Sequence, residues 1–150
     1  MFYIKENDKI VLFDNSKQKL QNTLIFMPQY KDSEILETEK NIIEFKGKFY
    51  FEDDSEYLEQ KEAEEQKRIS ELSLTKREVF LALYKDKGIT PEQVKSQITS
   101  PQDLIEFEYA TEYLRANPLI DKIGKMLGYT VQDLDYLFIN KELPQNTDNN

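Results

Sequence analysis

IIEFKGKFYF, running from Ile42 to Phe51, is the stretch around which the rest of the chain is read. Ile42-Ile43-Glu44-Phe45 and Lys48-Phe49-Tyr50-Phe51 are runs of β-formers on either side of Lys46-Gly47, and Gly47 supplies the positive φ that a two-residue hairpin turn requires. In that register Ile43, Phe45 and Tyr50 share one face of the strand pair, while Ile42, Phe49 and Phe51 share the other. Neither face is polar enough to be left in water. Either the surrounding domain covers both, or one aromatic face docks a partner, and these six residues are the candidate partner contacts.

Toward the N-terminus the same chemistry continues. Phe2 to Lys5 and Lys9 to Phe13 flank the turn residues Glu6, Asn7 and Asp8, which predicts a second hairpin. Ser16 to Leu24 reads as a short helix capped by Ser16, and Glu34 to Glu39 as a further strand. Residues 1–51 carry equal numbers of acidic and basic side chains and half of the chain's 9 Phe and 9 Tyr. They form a β-rich head of a size at which one core is marginal, so burial against a partner is expected to help it.

Beyond Phe51 the pattern changes. Asp53 to Leu72 contains neither Gly nor Pro and is rich in Glu, Gln, Lys and Ala, so residues 52–72 are predicted to be a charged connector helix. Acids gather at its start (Asp53, Asp54, Glu56), and Lys67 and Arg68 stand near its end, which suits the helix dipole. Glu64 and Arg68 are spaced for an i,i+4 pair. Tyr57, Leu58, Ala63, Ile69 and Leu72 make no sustained heptad, so a solvated spacer is expected and not a two-chain coiled coil.

Residues 73–140 hold a repeat. Val79, Phe80, Leu83, Gly88, Thr90, Val94 and Ile98 recur 40 positions later as Leu119, Ile120, Ile123, Gly128, Thr130, Leu134 and Phe138. In both copies apolar residues are spaced as on a helix, Gly follows as a C-terminal cap, and Thr opens the next helix. Each copy is therefore predicted to be a helix-turn-helix hairpin. Between them Pro101 to Arg115 reads as another helix ended by Asn117-Pro118, giving a bundle of about five helices. Residues 141–150 are polar and are predicted to be a disordered tail. The fold class is α+β: a β-rich head with two hairpins, a charged connector and a helical bundle.

Composition narrows the function. The 150 residues include no Cys and no His, which removes disulfides, thiolate zinc sites, the cysteine nucleophile and the commonest metal ligand and general base. A net charge of −9 opposes phosphate backbones and anionic membranes, so neither nucleic acid nor membrane is expected as a partner. Ile123 to Thr130 with the following helix has the local look of a DNA-reading motif. Its would-be recognition helix, however, carries Asp133 and Asp135, and the earlier one carries Glu92 with Lys95 alone in support. Asp53-Asp54 and Glu64-Glu65 are the only paired carboxylates of interest, and both read as acids on a solvated helix face. No catalytic, cofactor-binding or metal-binding residue is assigned, and no cofactor is expected. Met1 to Phe13, interrupted by charges, has neither the apolar core of a signal peptide nor the length of a membrane span, which predicts a cytoplasmic protein.

The run Ile42 to Phe51, the charged helix, Leu72-Ser73-Leu74-Thr75-Lys76-Arg77-Glu78-Val79-Phe80 with Lys87-Gly88-Ile89-Thr90, and Asn117-Pro118-Leu119-Ile120-Asp121 with Leu127-Gly128-Tyr129-Thr130 together resemble small uncharacterised proteins of phages and prophages of low-GC bacteria. The likeness covers roughly residues 40–140 and rests on caps and core positions. It implies a non-enzymatic accessory protein of a tail module, working in the host cytoplasm or with the virion, and binding a co-encoded tail protein. The layout is also broadly similar to that of tail-fibre assembly chaperones. The alternative is an acidic inhibitor that mimics nucleic acid, which would need acids along two phosphate-like rows where this chain concentrates them on one helix.

Overall fold

The computed structural model describes residues 1–145 and is a mixed α and β protein, with a five-stranded antiparallel sheet near the N-terminus and helices dominating the C-terminal region. It divides into two compact units, Met1–Ala63 and the chain from Glu64 onward.

In the first unit, strands β1 (Phe2–Glu6) and β2 (Lys9–Asp14) form one hairpin, followed by helix α1 (Lys17–Ile25), a 3₁₀ turn at Pro28–Tyr30 and the short strand β3 (Leu36–Glu37). Strands β4 (Ile42–Phe45) and β5 (Lys48–Phe51) form the second hairpin, and the sheet order is β3-β1-β2-β5-β4. Both hairpin turns use two residues with positive φ, Asn7 and Asp8 in the first and Lys46 and Gly47 in the second. Such turns match the right-handed twist of the strands they join. Ser16 caps α1 as expected, its side chain accepting from the Lys19 amide. The strand expected over Glu34 to Glu39 shortens to β3, which pairs with β1 only at Leu36 and Glu37.

The second hairpin has the anticipated register, Ile42 opposite Phe51 and Ile43 opposite Tyr50. A bulge at Val11 breaks the β1–β2 register between Ile4 and Lys5. The extra residue lets Ile10 stay on the face of Tyr3 while Val11 and Leu12 both pack beside Ile4.

Helix α2 (Ser55–Ser70) crosses the boundary between the units, and all of its residues from Lys61 to Arg68 are exposed. Arg68 grips Glu65 with two hydrogen bonds at i,i+3.

The second unit continues with β6 (Ser73–Thr75), α3 (Lys76–Lys87), α4 (Pro91–Gln97), α5 (Pro101–Tyr109), β7 (Glu112–Leu114), α6 (Pro118–Leu127) and α7 (Val131–Asn140). Gly88 and Gly128 both adopt the left-handed conformation at the ends of α3 and α6, and Thr90 and Thr130 both close capping boxes at the starts of α4 and α7. Each such cap contributes about 1 kcal/mol. The buried members of the 40-residue repeat, Val79, Phe80, Leu83 and Val94 with Leu119, Ile120, Ile123, Leu134 and Phe138, join a single core.

Two expectations are corrected here. The helix read from Pro101 to Arg115 ends at Tyr109, and Glu112–Leu114 turns instead into a strand paired with Ser73–Thr75. Apolar spacing continues through Ala110, Tyr113 and Leu114, but the Tyr113 hydroxyl and the Lys76 ammonium both donate to the Phe107 carbonyl and fasten the last turn of α5 where it stops. The tail is the other correction, because Leu143 is buried in the core of this unit and order extends past Lys141. The rest of the predicted tail, residues 146–150, lies outside the described residues.

Candidate docking face of the head

The six candidate contact residues of the second hairpin divide between the two sheet faces, each with one buried residue, Tyr50 or Ile42, and two half-buried ones. Tyr50 is 7 % exposed: its ring stacks on Tyr57 in the first turn of α2 with centroids 6.0 Å apart, and its hydroxyl donates to Glu56 at 3.3 Å. Phe45 meets the same Tyr57 edge-on at 5.5 Å. Asp54 sets this arrangement by accepting from the amides of Glu56 and Tyr57 at the helix start, which turns Tyr57 back over the sheet. Tyr50 is thus buried, with Ile43 and Phe45 half-buried beside it, and it is not the surface-tolerant contact its position suggests.

The opposite face is built differently. Tyr3, Ile10 and Ile42 are buried in it, with Met1, Phe13, Leu36, Phe49 and Phe51 half-buried around them. Every one of these residues lies on a strand or at Met1, and among the described residues no helix residue joins the cluster. By contrast the other sheet face, with Ile4, Val11 and Leu12, receives Leu20 and Leu24 from α1. One side of the sheet therefore has a helical cover, and the other is an aromatic platform.

Its geometry is set by two edge-on pairs, Phe13 with Phe49 at 5.1 Å and Tyr3 with Phe51 at 5.2 Å. Such T-shaped contacts hold rings at fixed angles and contribute about 0.5–1.5 kcal/mol beyond the area they bury. Two ammonium groups stand over the Phe51 ring, Lys5 at 5.7 Å and Lys40 at 5.9 Å. Lys40 also pairs with Asp53 at 2.6 Å, which raises the pKa of the ammonium and lowers that of the carboxylate. A rigid aromatic surface whose rim carries charges of both signs suits a protein partner.

Spacing alone placed Ile42, Phe49 and Phe51 on this face. It missed Met1, Tyr3, Phe13 and Leu36, which arrive through pairing of distant strands. Two of the three acids that argued against DNA are held within the fold: Asp133 by Thr130, whose backbone and side-chain hydrogen bonds lower its pKa, and Asp135 by Arg115. Among the described residues no cluster of acidic side chains suited to a metal is present, and no helix is long and apolar enough to cross a membrane. No family model matches the chain, and no similarity to a curated protein or a solved structure was found.

Proposed function

We propose that this protein is a non-enzymatic accessory factor of a phage or prophage tail module, acting in the host cytoplasm or with the virion by binding another protein through the aromatic face of its head. The observation that carries the reading is the one-sided sheet, whose face of Phe13, Phe49 and Phe51 is assembled from strand residues alone. A few aromatic anchors of this type dominate the energetics of most interfaces. The absence of His and Cys from the sequence favours binding over chemistry, and the likeness to tail-module proteins supplies the context. The same proposal treats α3–α4 and α6–α7 as related helix-turn-helix hairpins serving as a scaffold, on the support of their matching glycine ends and threonine caps.

Co-expression of the full chain with the tail proteins encoded beside it, followed by size-exclusion chromatography with light scattering, tests this. A stable complex with one of them is expected, weakened about tenfold or more by Phe49→Ala. Finding no complex with any of them, or a complex indifferent to Phe49→Ala in a folded variant, contradicts the proposal.

A further inference from the structure

The second unit carries an apolar groove of about 430 Å³ on the outer side of α3, floored by Phe80 and walled by Leu81, Tyr84, Ile89 and Pro91. Leu81 and Tyr84 are 44 % and 61 % exposed, high values for side chains of their size. Among the described residues the charged groups lining the groove are Lys76 and Arg77, in a chain where acids outnumber bases 29 to 20. Lys76 donates to the Phe107 and Glu108 carbonyls at the end of α5. Arg77 is exposed, and its side chain makes no hydrogen bond or ion pair among the described residues.

We infer that this groove is a docking site for an amphipathic helix of a partner protein that presents apolar anchors flanked by acidic side chains. Arg77, Leu81 and Tyr84 lie at i, i+4 and i+7, a line about 10 Å long at 1.5 Å per residue. That length matches two turns of a helix laid in the groove, the usual form of helix-in-groove recognition. The cationic end supplies the complementarity, because Arg77 can take a carboxylate with two parallel hydrogen bonds. A second copy of this chain fits less well: α2, its acidic helix, exposes Leu58 but carries Glu62 and Glu65 at the following anchor positions.

Two synthetic helical peptides test the inference by fluorescence anisotropy with the full chain, identical in three Leu or Phe anchors and flanked by Glu in one and Lys in the other. The acidic peptide is expected to bind at least about tenfold more tightly. Arg77→Glu should abolish or invert that preference, and Tyr84→Ala should weaken the acidic peptide about tenfold with the thermal melt unchanged. Equal binding of the two peptides, no binding of either, or a preference that survives Arg77→Glu overturns the inference. So does sedimentation showing that Arg77→Glu splits a dimer, since the occupant would then be a second copy. The groove and the head face are scored separately, because Phe49→Ala leaves the groove's residues untouched.

Discussion

Arg115 donates from Nε to Asp135 at 2.7 Å, and its Nη1 reaches Asp121 at 2.9 Å, so one guanidinium ties the end of β7 to both helices of the α6–α7 pair. The Arg115 side chain is only 7 % exposed and that of Asp135 16 %. The backbone joins in, since the Arg115 amide donates to the Leu72 carbonyl at 2.8 Å.

Removing one partner of a buried pair leaves the other charge unsatisfied, which costs about 3–5 kcal/mol. Arg115→Ala is therefore expected to destabilise the second unit by about 3 kcal/mol in urea unfolding. Arg115→Lys should recover little, because one ammonium cannot span two carboxylates as a planar guanidinium does. A lysine variant of wild-type stability would show that charge alone suffices.

Glu78 links the two ends of the second unit, accepting from Lys141 at 2.9 Å beyond α7 while closing the Thr75 capping box at the start of α3. The Lys141 hydrogen bond and then the Thr75 backbone and side-chain bonds hold its pKa down at about 2, from an ordinary 4.5. A carboxylate depressed in the folded state adds stability that is complete above its unfolded pKa and disappears as pH falls through its folded one. Urea midpoints of the wild type should therefore exceed those of Glu78→Gln at neutral pH, with the difference shrinking between pH 4.5 and about 2. A constant difference across that window would mean that the carboxylate's charge plays no part.

Gly124 lies within α6, and a Cβ built there would stand 2.6 Å from Leu134 Cδ1, with two further Leu134 atoms within 3.2 Å. Gly124→Val should accordingly lower stability by about 1–3 kcal/mol through overpacking, despite the helix-propensity penalty that glycine carries. Thermal denaturation of the variant beside Gly124→Val/Leu134→Ala checks the mechanism, because the double variant should regain part of the loss.

Much of the architecture was legible where a short-range rule decided it. The turn at Lys46-Gly47, the Ser16 cap and the Gly88 and Gly128 helix ends all depend on neighbours within a few residues, and each is where the sequence placed it. Strands β6 and β7 were not legible, because three residues are too few for an alternating pattern to outweigh the helical spacing carried forward from α5. The docking face was half legible. Alternation in the hairpin separated Phe49 and Phe51 from Tyr50, but which side would be covered depended on Asp54 turning Tyr57 back over the sheet.

That difference predicts contrasting outcomes on the two faces of the sheet. Tyr50→Ala removes a ring buried against Tyr57 and should destabilise the head by about 3–5 kcal/mol. Lys5→Glu, an exposed change at the rim of the aromatic face, should leave the melt within about 0.5 kcal/mol. Calorimetry of both variants separates core from surface, and a stable Tyr50→Ala would undo the assignment of Tyr50 to the core.

The most direct test follows the methyl groups of the unaltered protein by NMR while the co-encoded tail protein is titrated in. Leu36 and Ile42 report on the aromatic face, and Ile4, Leu20 and Leu24 on the face under α1. Binding through the aromatic face predicts large shifts or broadening at Leu36 and Ile42 with Ile4, Leu20 and Leu24 nearly unmoved. Perturbations confined to Ile4, Leu20 and Leu24, or to the second unit, would contradict it.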